Sequence, residues 1–251
     1  TPTSAKKDEE NGIITQSLDL WVLSRLHLAV KKATKAFEEF EYCDARVAIE
    51  DFFWNDFCDN YLELVKARAY AGEDGGSASY TLNTCLDAVL RLFAPFVPHV
   101  TEEVYQLYFA GSGSIHRRGN WPKAEDYVYD KKAEAAGIVA VDLLEVIRKV
   151  KSEASVSIKT PVSRVQLYVT DDALVPYNDL AGVARDLLAA GNVHELIQTD
   201  QTELPYATHN GHYKMDVTLA KIEEKNQAEE VTRNKDQKKD VKLEGKVLHA
   251  P

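Results

Sequence analysis

Two spacings in this chain could bring metal ligands together, His99-x-x-Glu102 and His209-x-x-His212. Neither is joined by the cysteine, histidine or carboxylate partners that complete a metal site, so no metal is expected. The Gly/Ser run at 111–114 is not followed by Gly-Lys-Ser/Thr and cannot be read as a phosphate-binding loop. The sequence has no Gly-x-Ser-x-Gly elbow and no recognisable Cys/His nucleophile pairing. Cys43, Cys58 and Cys85 form neither a zinc pattern nor a disulfide framework. An odd cysteine count suits a reducing compartment, and small buried hydrophobes on helices are the expected role. Together these absences point away from a catalytic machine and toward a binding module.

The residues that could bind are basic, amide and aromatic. Arg25, Lys31, Lys32 and Lys35 fall close together, Arg117 and Arg118 form a second pair, and Arg148, Lys149 and Lys151 a third group. Each group read alone is also compatible with a solvated helix face or a complement to the helix dipole. Beside exposed aromatics they would make a surface for unpaired RNA bases, with Trp54 and Trp121 as the candidate rings. In "FFWNDFCDNYLELVKAR" (52–68), Phe52, Phe53, Phe57, Tyr61, Leu64 and Val65 read as core. Asn55, Asp59 and Lys66 share a polar edge that could hydrogen-bond base edges, or Asn55 and Asp56 could form a buried polar pair that locks helix register. The formal net charge of −10 excludes a generic nucleic-acid coat, so a nucleic acid would have to meet a local basic patch.

These residues must be positioned by helices. Helical spacing is expected from Ser17 to about Glu41, with Ser17 as N-cap, and from Asp44, also a good N-cap, to about Ala71. Further helices are expected over about Tyr80 to Phe93, from Pro98 to the Gly/Ser turn, and from Lys131 to Ser152. Five helices joined by mostly short loops describe an antiparallel bundle. After residue 155 the pattern changes: "VSRVQLYV", "VHELIQT" and "KMDVTLAKI" read as strands, and "LAGVARDLLAAGN" as a short helix. The expected organisation is a lead-in at 1–16, a bundle at 17–154, a small α+β subdomain at 155–222 and a charged, peripheral tail at 223–251. The chain is 251 residues long and 45% hydrophobic, enough for a sizeable core. It has no apolar run of the roughly 18 residues a membrane span needs. Its polar start lacks an initiator methionine and an apolar signal region, as a piece cut from a longer chain would.

Several segments resemble a known family. "LDLWVLSRL" (18–26), "FFWNDFCDNYLELVK" (52–66), "FAPFVPHVTEEVY" (93–105) and "SIHRRGNWP" (114–122) are similar, in order and type, to the anticodon-binding helical domain of class Ia aminoacyl-tRNA synthetases. The helix at 52–66 and the pairing of "SIH" with "WP" most resemble the valine-specific members. "IRKVKSEASVSIKTPVSRV" (147–165) resembles the segment after the bundle in their archaeal-type form. The resemblance covers about residues 17 to 170. It implies a tRNA-binding domain, valine tRNA first, that contacts the anticodon stem and loop in a cytoplasmic, monomeric enzyme. The catalytic domain of the parent chain would bind ATP and magnesium, and no cofactor is expected here. The family's His-Ile-Gly-His and Lys-Met-Ser-Lys-Ser signatures are absent from this sequence, so the chain alone should not aminoacylate.

Chosen by helix face, Arg25, Lys32 and Lys35, with Lys31 beside them, are expected at phosphate or base, Arg148, Lys149 and Lys151 along the RNA backbone, Asn55, Asp59 and Lys66 at base edges, and Trp54 as a stacking ring. The equivalent domain of an isoleucine or leucine enzyme, a helical protein-interaction scaffold and an enzyme built in the bundle remain as alternatives.

Overall fold

The computed structural model describes residues 13–72, 76–109, 113–118, 120–173, 175 and 177–220. The expected lead-in falls mostly, and the expected tail wholly, outside these residues. Helix α1 (Ser17–Glu38) buries Leu18, Trp21, Val22, Leu26, Ala29, Val30 and Ala33, a stripe at three- and four-residue spacing that faces the core. Its N-cap is Gln16, one residue before the expected Ser17, and Gln16 makes no side-chain cap bond. The chain turns and re-enters helix as α2 (Tyr42–Asp51), which places Asp44 inside the first turn instead of at the cap.

From Phe52 to Tyr61 the helix widens into a π-helical segment before resuming as α3 (Leu62–Ala71). The Leu62 N–H donates to the Phe57 carbonyl, an i→i−5 bond. The rings of Phe52, Phe57 and Tyr61 account for the wider winding. Their spacing of five and then four residues aligns them on one buried face, with centroids 6.2 and 6.1 Å apart and planes within about 25° of parallel. An α-helix would rotate the second ring off that face. Phe53, expected in the core, is only half-buried and packs edge-on against Phe93 at 5.6 Å.

The bundle is completed by α4 (Ser77–Phe93), α5 (Pro98–Tyr108), the single turn α6 (Ile115–Arg118) and α7 (Lys131–Glu153). Pro98 opens α5, where its missing N–H leaves no bond unmade. Asp130 caps α7 by accepting from the N–H groups of Lys132 and Ala133. Within α7, Gly137 lets α1 approach closely, because a Cβ there would overlap the Trp21 indole.

The small α+β subdomain follows. Strand β1 (Val162–Val169) is central, with β2 (Leu196–Gln198) parallel on one side and β4 (Tyr213–Leu219) antiparallel on the other. Strand β3 (Tyr206–Ala207) completes the sheet beyond β4. Helix α8 (Ala181–Gly191) is the crossover between the parallel pair.

Helix α8 fixes the sheet to one end of the bundle. Gly182 lies against Ser17, where a Cβ would be 2.6 Å from the Ser17 Oγ, and Gly191 packs on Ile147. Between them Asp186 meets the buried Arg68 guanidinium at 3.1 Å. Arg68 also bonds both oxygens of Asp19, at 2.7 and 3.0 Å, and Asp19 accepts from Tyr61 and Ser77. Burial, ahead of the opposing pull of Arg68, pushes the Asp186 carboxyl above its ordinary value. One end of the bundle is therefore locked against the subdomain. The other end, about 30 Å along α1, carries no such cover among the described residues.

Candidate nucleic-acid interface

The expected RNA contacts divide into three groups by what surrounds them. Lys31, Lys32 and Lys35 project from the second half of α1 and are exposed. Lys35 comes within 3.8 Å of Glu39, a solvated pair that contributes little and can be exchanged for a phosphate. Their neighbour Thr34 accepts from the indole N–H of Trp121 at 2.8 Å. Trp121 itself is half-buried, edge-on to Phe37 at 4.8 Å, so it supports the end of α1 and offers no free stacking face.

The second group lies on and beside the π segment. Trp54 is 57% exposed and packs edge-on to Phe53. Asn55 is exposed and donates to Asp51 at 2.7 Å. The structure separates it from Asp56, which turns inward to meet Arg25 at 2.9 Å. Asp59 and Lys66 are exposed, and Lys66 lies 3.4 Å from Glu63. With Asp51, Asp59 and Glu63 along it, this edge is acidic. Its carboxylates could accept from base amino groups, but it does not attract phosphate.

The third group is turned toward protein. The Arg25 Nε bonds Asp56 and its terminal nitrogen lies 3.5 Å from Glu134, so its charge joins α1, the π segment and α7. Burial pushes the Asp56 carboxyl up, and the Arg25 charge offsets that only in part. Arg148 reaches across to the Asn60 side chain and the Asp59 carbonyl, at 3.4 and 3.2 Å. Lys149, near the end of α7, is exposed and is the exception in this group.

Lys151 leaves the candidate surface. It is 1% exposed and its ammonium donates to the carbonyls of Ile158 and Gly191, at 2.8 and 2.7 Å. Burial lowers its pKa, and it ties the end of α7 to α8. A lysine one turn after Ile147 on an otherwise apolar face was the sequence signal for this inward role.

The exposed aromatic surface that the sequence reading missed lies at the open end of the bundle. Phe40 is 76% exposed and Tyr42 is 51% exposed, with ring centroids 6.4 Å apart. Tyr42 packs on Phe37, which in turn packs on Phe96. Val97, directly after Phe96, and Val100, in the first turn of α5, are also exposed. The sequence signal for it was the α1–α2 connection "FEEFEY", which turns sharply without a glycine.

Next to this end, Glu102 holds the turn bearing His116 and Arg117. Its carboxylate accepts from the Ser114 hydroxyl and the Ile115 N–H, both at 3.0 Å, and from Gln106 at 2.9 Å. Against the opposing push of desolvation, these bonds, with the nearby His116, hold the Glu102 carboxyl below its ordinary value. Arg117 is exposed, and the side chain of Arg118 lies outside the described residues. Among the described residues, no group of three His, Cys, Asp or Glu side chains could hold a metal ion, and no helix is long and apolar enough to cross a membrane.

Comparison with known proteins agrees with this architecture. The family model described as the anticodon-binding domain of tRNA ligase matches residues 19–167. The valine–tRNA ligase of Wolbachia sp. subsp. Brugia malayi (strain TRS) is 38% identical over 213 residues, covering 82% of this chain and 24% of that protein. The valine–tRNA ligase of Wolbachia pipientis wMel is 45% identical over 154 residues, 61% of this chain and 18% of that protein. That of Ehrlichia canis (strain Jake) is 42% identical over 156 residues, 61% of this chain and 20% of that protein. The chain thus spans about a quarter or less of the length of these curated relatives. The match runs from the first turn of α1 through the bundle into β1, and the chain belongs to the family of anticodon-binding domains of tRNA ligases.

Proposed function

We propose that this chain is the tRNA-binding part of a valine–tRNA ligase and that it contacts the anticodon stem and loop. The observation that carries this reading is the family match over residues 19–167, and the similarity to several valine–tRNA ligases favours valine over isoleucine or leucine. The open end of the bundle suits the task. Lys31, Lys32 and Lys35 supply phosphate contacts, and aromatic and amide groups within the same end of the bundle supply surfaces for unpaired bases. Trp54, Asn55, Asp59 and Lys66 form a second, more acidic edge suited to base amino groups. Arg25 and Arg148, already paired within the protein, act chiefly by fixing the helices. The subdomain at 155–222 serves as a support in this reading.

Aminoacylation, with its ATP and magnesium, belongs to the parent enzyme, a cytoplasmic monomer in this proposal. The domain contributes binding energy remote from the reacting atoms, which the enzyme uses to place the acceptor end of the tRNA. By itself it binds weakly, and its affinity falls steeply with salt. The test is a titration of the chain against valine, isoleucine and leucine tRNAs at two salt concentrations. Tighter binding of valine tRNA with a strong salt slope supports the proposal. Equal affinity for all three sinks the valine assignment, and no binding at low salt sinks the RNA-binding role.

A further inference from the structure

Helix α1 ends in a backbone motif that normally carries glycine. The Glu41 N–H donates to the Ala36 carbonyl at 2.8 Å and the Phe40 N–H to the Phe37 carbonyl at 3.1 Å. These are the paired 6→1 and 5→2 bonds of the Schellman ending, and they force the residue between them into the left-handed region. That residue is Phe40, at φ 62°. Glycine adopts this conformation without a Cβ penalty, and a bulky residue does not. The other left-handed helix ends carry small or amide residues: α3 turns at Gly72 (φ 66°), α8 at Asn192 (φ 49°), and α7 makes the same pair of bonds around Ser155 (φ 54°).

Packing does not compensate for the choice of phenylalanine. The Phe40 ring is 76% exposed, and the ring contact the structure gives it is the edge-on one with Tyr42. The position therefore combines a strained backbone with an apolar ring in water, two unfavourable features at one residue. Strain of this kind persists where a function needs the side chain.

We propose that Phe40, with Tyr42 beside it, is a stacking site for an unpaired nucleobase of the bound RNA. This rests on the anticodon-binding reading above and assigns one residue pair within it. Three features favour a base as the occupant. Tyr42 continues inward to Phe37, Phe96 and Trp121, so the two outer rings stand on a rigid aromatic foundation. Lys35 lies little more than one turn before Phe40, with Lys31 and Lys32 further back along α1, where the phosphates flanking such a base would run. Glu38, Glu39, Glu41 and Asp44 are exposed around the rings themselves. They repel phosphate and accept hydrogen bonds from base amino groups, so the nucleotide enters with its base toward the rings and its phosphates toward the lysines.

The left-handed backbone gives this proposal a distinctive test. The 251-residue chain is titrated with a stem-loop RNA of the valine anticodon arm, using Phe40→Leu, Phe40→Gly and the unchanged protein. Stem-loops with one loop base removed at each anticodon position provide the second arm. Stacking on one aromatic contributes enough that Phe40→Leu should weaken binding roughly 5- to 100-fold. One abasic position should cause a similar loss, and combining it with Phe40→Leu should add little. Phe40→Gly should raise the melting temperature while weakening binding as Phe40→Leu does.

If the unchanged protein binds the stem-loop and Phe40→Leu binds equally well, the stacking site is refuted and the anticodon reading stands. Full additivity between Phe40→Leu and every abasic position also refutes it. If the unchanged protein does not bind the stem-loop, both fail. Phe40→Gly melting below the unchanged protein would show that the ring is there for packing, and this too overturns the proposal.

Discussion

Replacing Arg68 with methionine tests what locks the subdomain to the bundle. The Arg68 side chain is 1% exposed and its guanidinium is shared between two buried carboxylates, Asp19 and Asp186. Methionine fills much of the volume but supplies no charge. Asp19, 0% exposed, would keep its hydrogen bonds from Tyr61 and Ser77, at 2.8 and 2.6 Å, without a neutralising charge, and Asp186 would lose its guanidinium partner. Removing one partner of a buried ion pair costs about 3–5 kcal/mol, because the remaining charge has no compensation. Asp186→Asn is a milder change: Arg68 keeps Asp19, and the cost is about 1 kcal/mol at neutral pH.

The two changes should not be additive. With asparagine at 186, Arg68→Met strands one carboxylate in place of two, so the double variant should be at least ~1 kcal/mol more stable than the sum of the singles. The pH dependence has a definite sign. Asp186 has a raised pKa in the fold, so its stabilising contribution is complete below the unfolded value near 3.8 and is lost as pH rises through the folded value. Asp186→Asn should therefore be better tolerated at pH 7 than at pH 3. Urea denaturation followed by helical circular dichroism measures all four proteins. An Arg68→Met loss below ~1 kcal/mol, or strict additivity, would show that the shared guanidinium is not what holds α8 to the bundle.

Three further outcomes follow from particular side chains. Replacing Lys31, Lys32 and Lys35 together with alanine should flatten the salt dependence of tRNA binding by about 0.7 log units for each phosphate no longer neutralised; an unchanged slope removes these lysines from the interface. Gly137→Ala should destabilise by about 1–3 kcal/mol or more, since the new Cβ would overlap the Trp21 indole; an unaltered melting temperature would contradict this close approach of α1 and α7. The Glu102 carboxyl lies below its ordinary value in the fold, so its hold on the 113–118 turn is present above the unfolded value and lost as pH falls through the folded one. Amide exchange at Ile115 should thus accelerate, relative to its neighbours, on acidification from pH 6 to pH 3, and Glu102→Gln should weaken this pH dependence.

Much of the architecture was legible because burial leaves a periodic trace. The α1 stripe, Pro98 at the start of α5 and the alternating residues of β1 each identify an element by its spacing. The π segment was not readable in that way. Its aromatic spacing of five and four residues departs from the α period, and only tertiary packing decides whether the helix widens or a ring is left exposed. For the same reason Phe53 packs only partly buried against the core.

Charged side chains were legible as chemistry but not as direction. Arg25 and Lys151 look like surface cations in sequence, and the structure turns one toward Asp56 and Glu134 and buries the other beneath α8. Long flexible cations can point either way from the same backbone position, and only the groups across from them settle which. Phe40 is the converse case: the helix expected to run to about Glu41 covered it, and only the φ angle and the exposure show that it lies past the helix end.

Hydrogen–deuterium exchange of the chain with and without valine tRNA probes RNA binding at the open end of the bundle without any substitution. Binding there predicts protection of peptides spanning residues 28–47 and 93–100, with the strands of the subdomain unchanged. Protection confined to residues 162–219, with residues 28–47 unaffected, would contradict it.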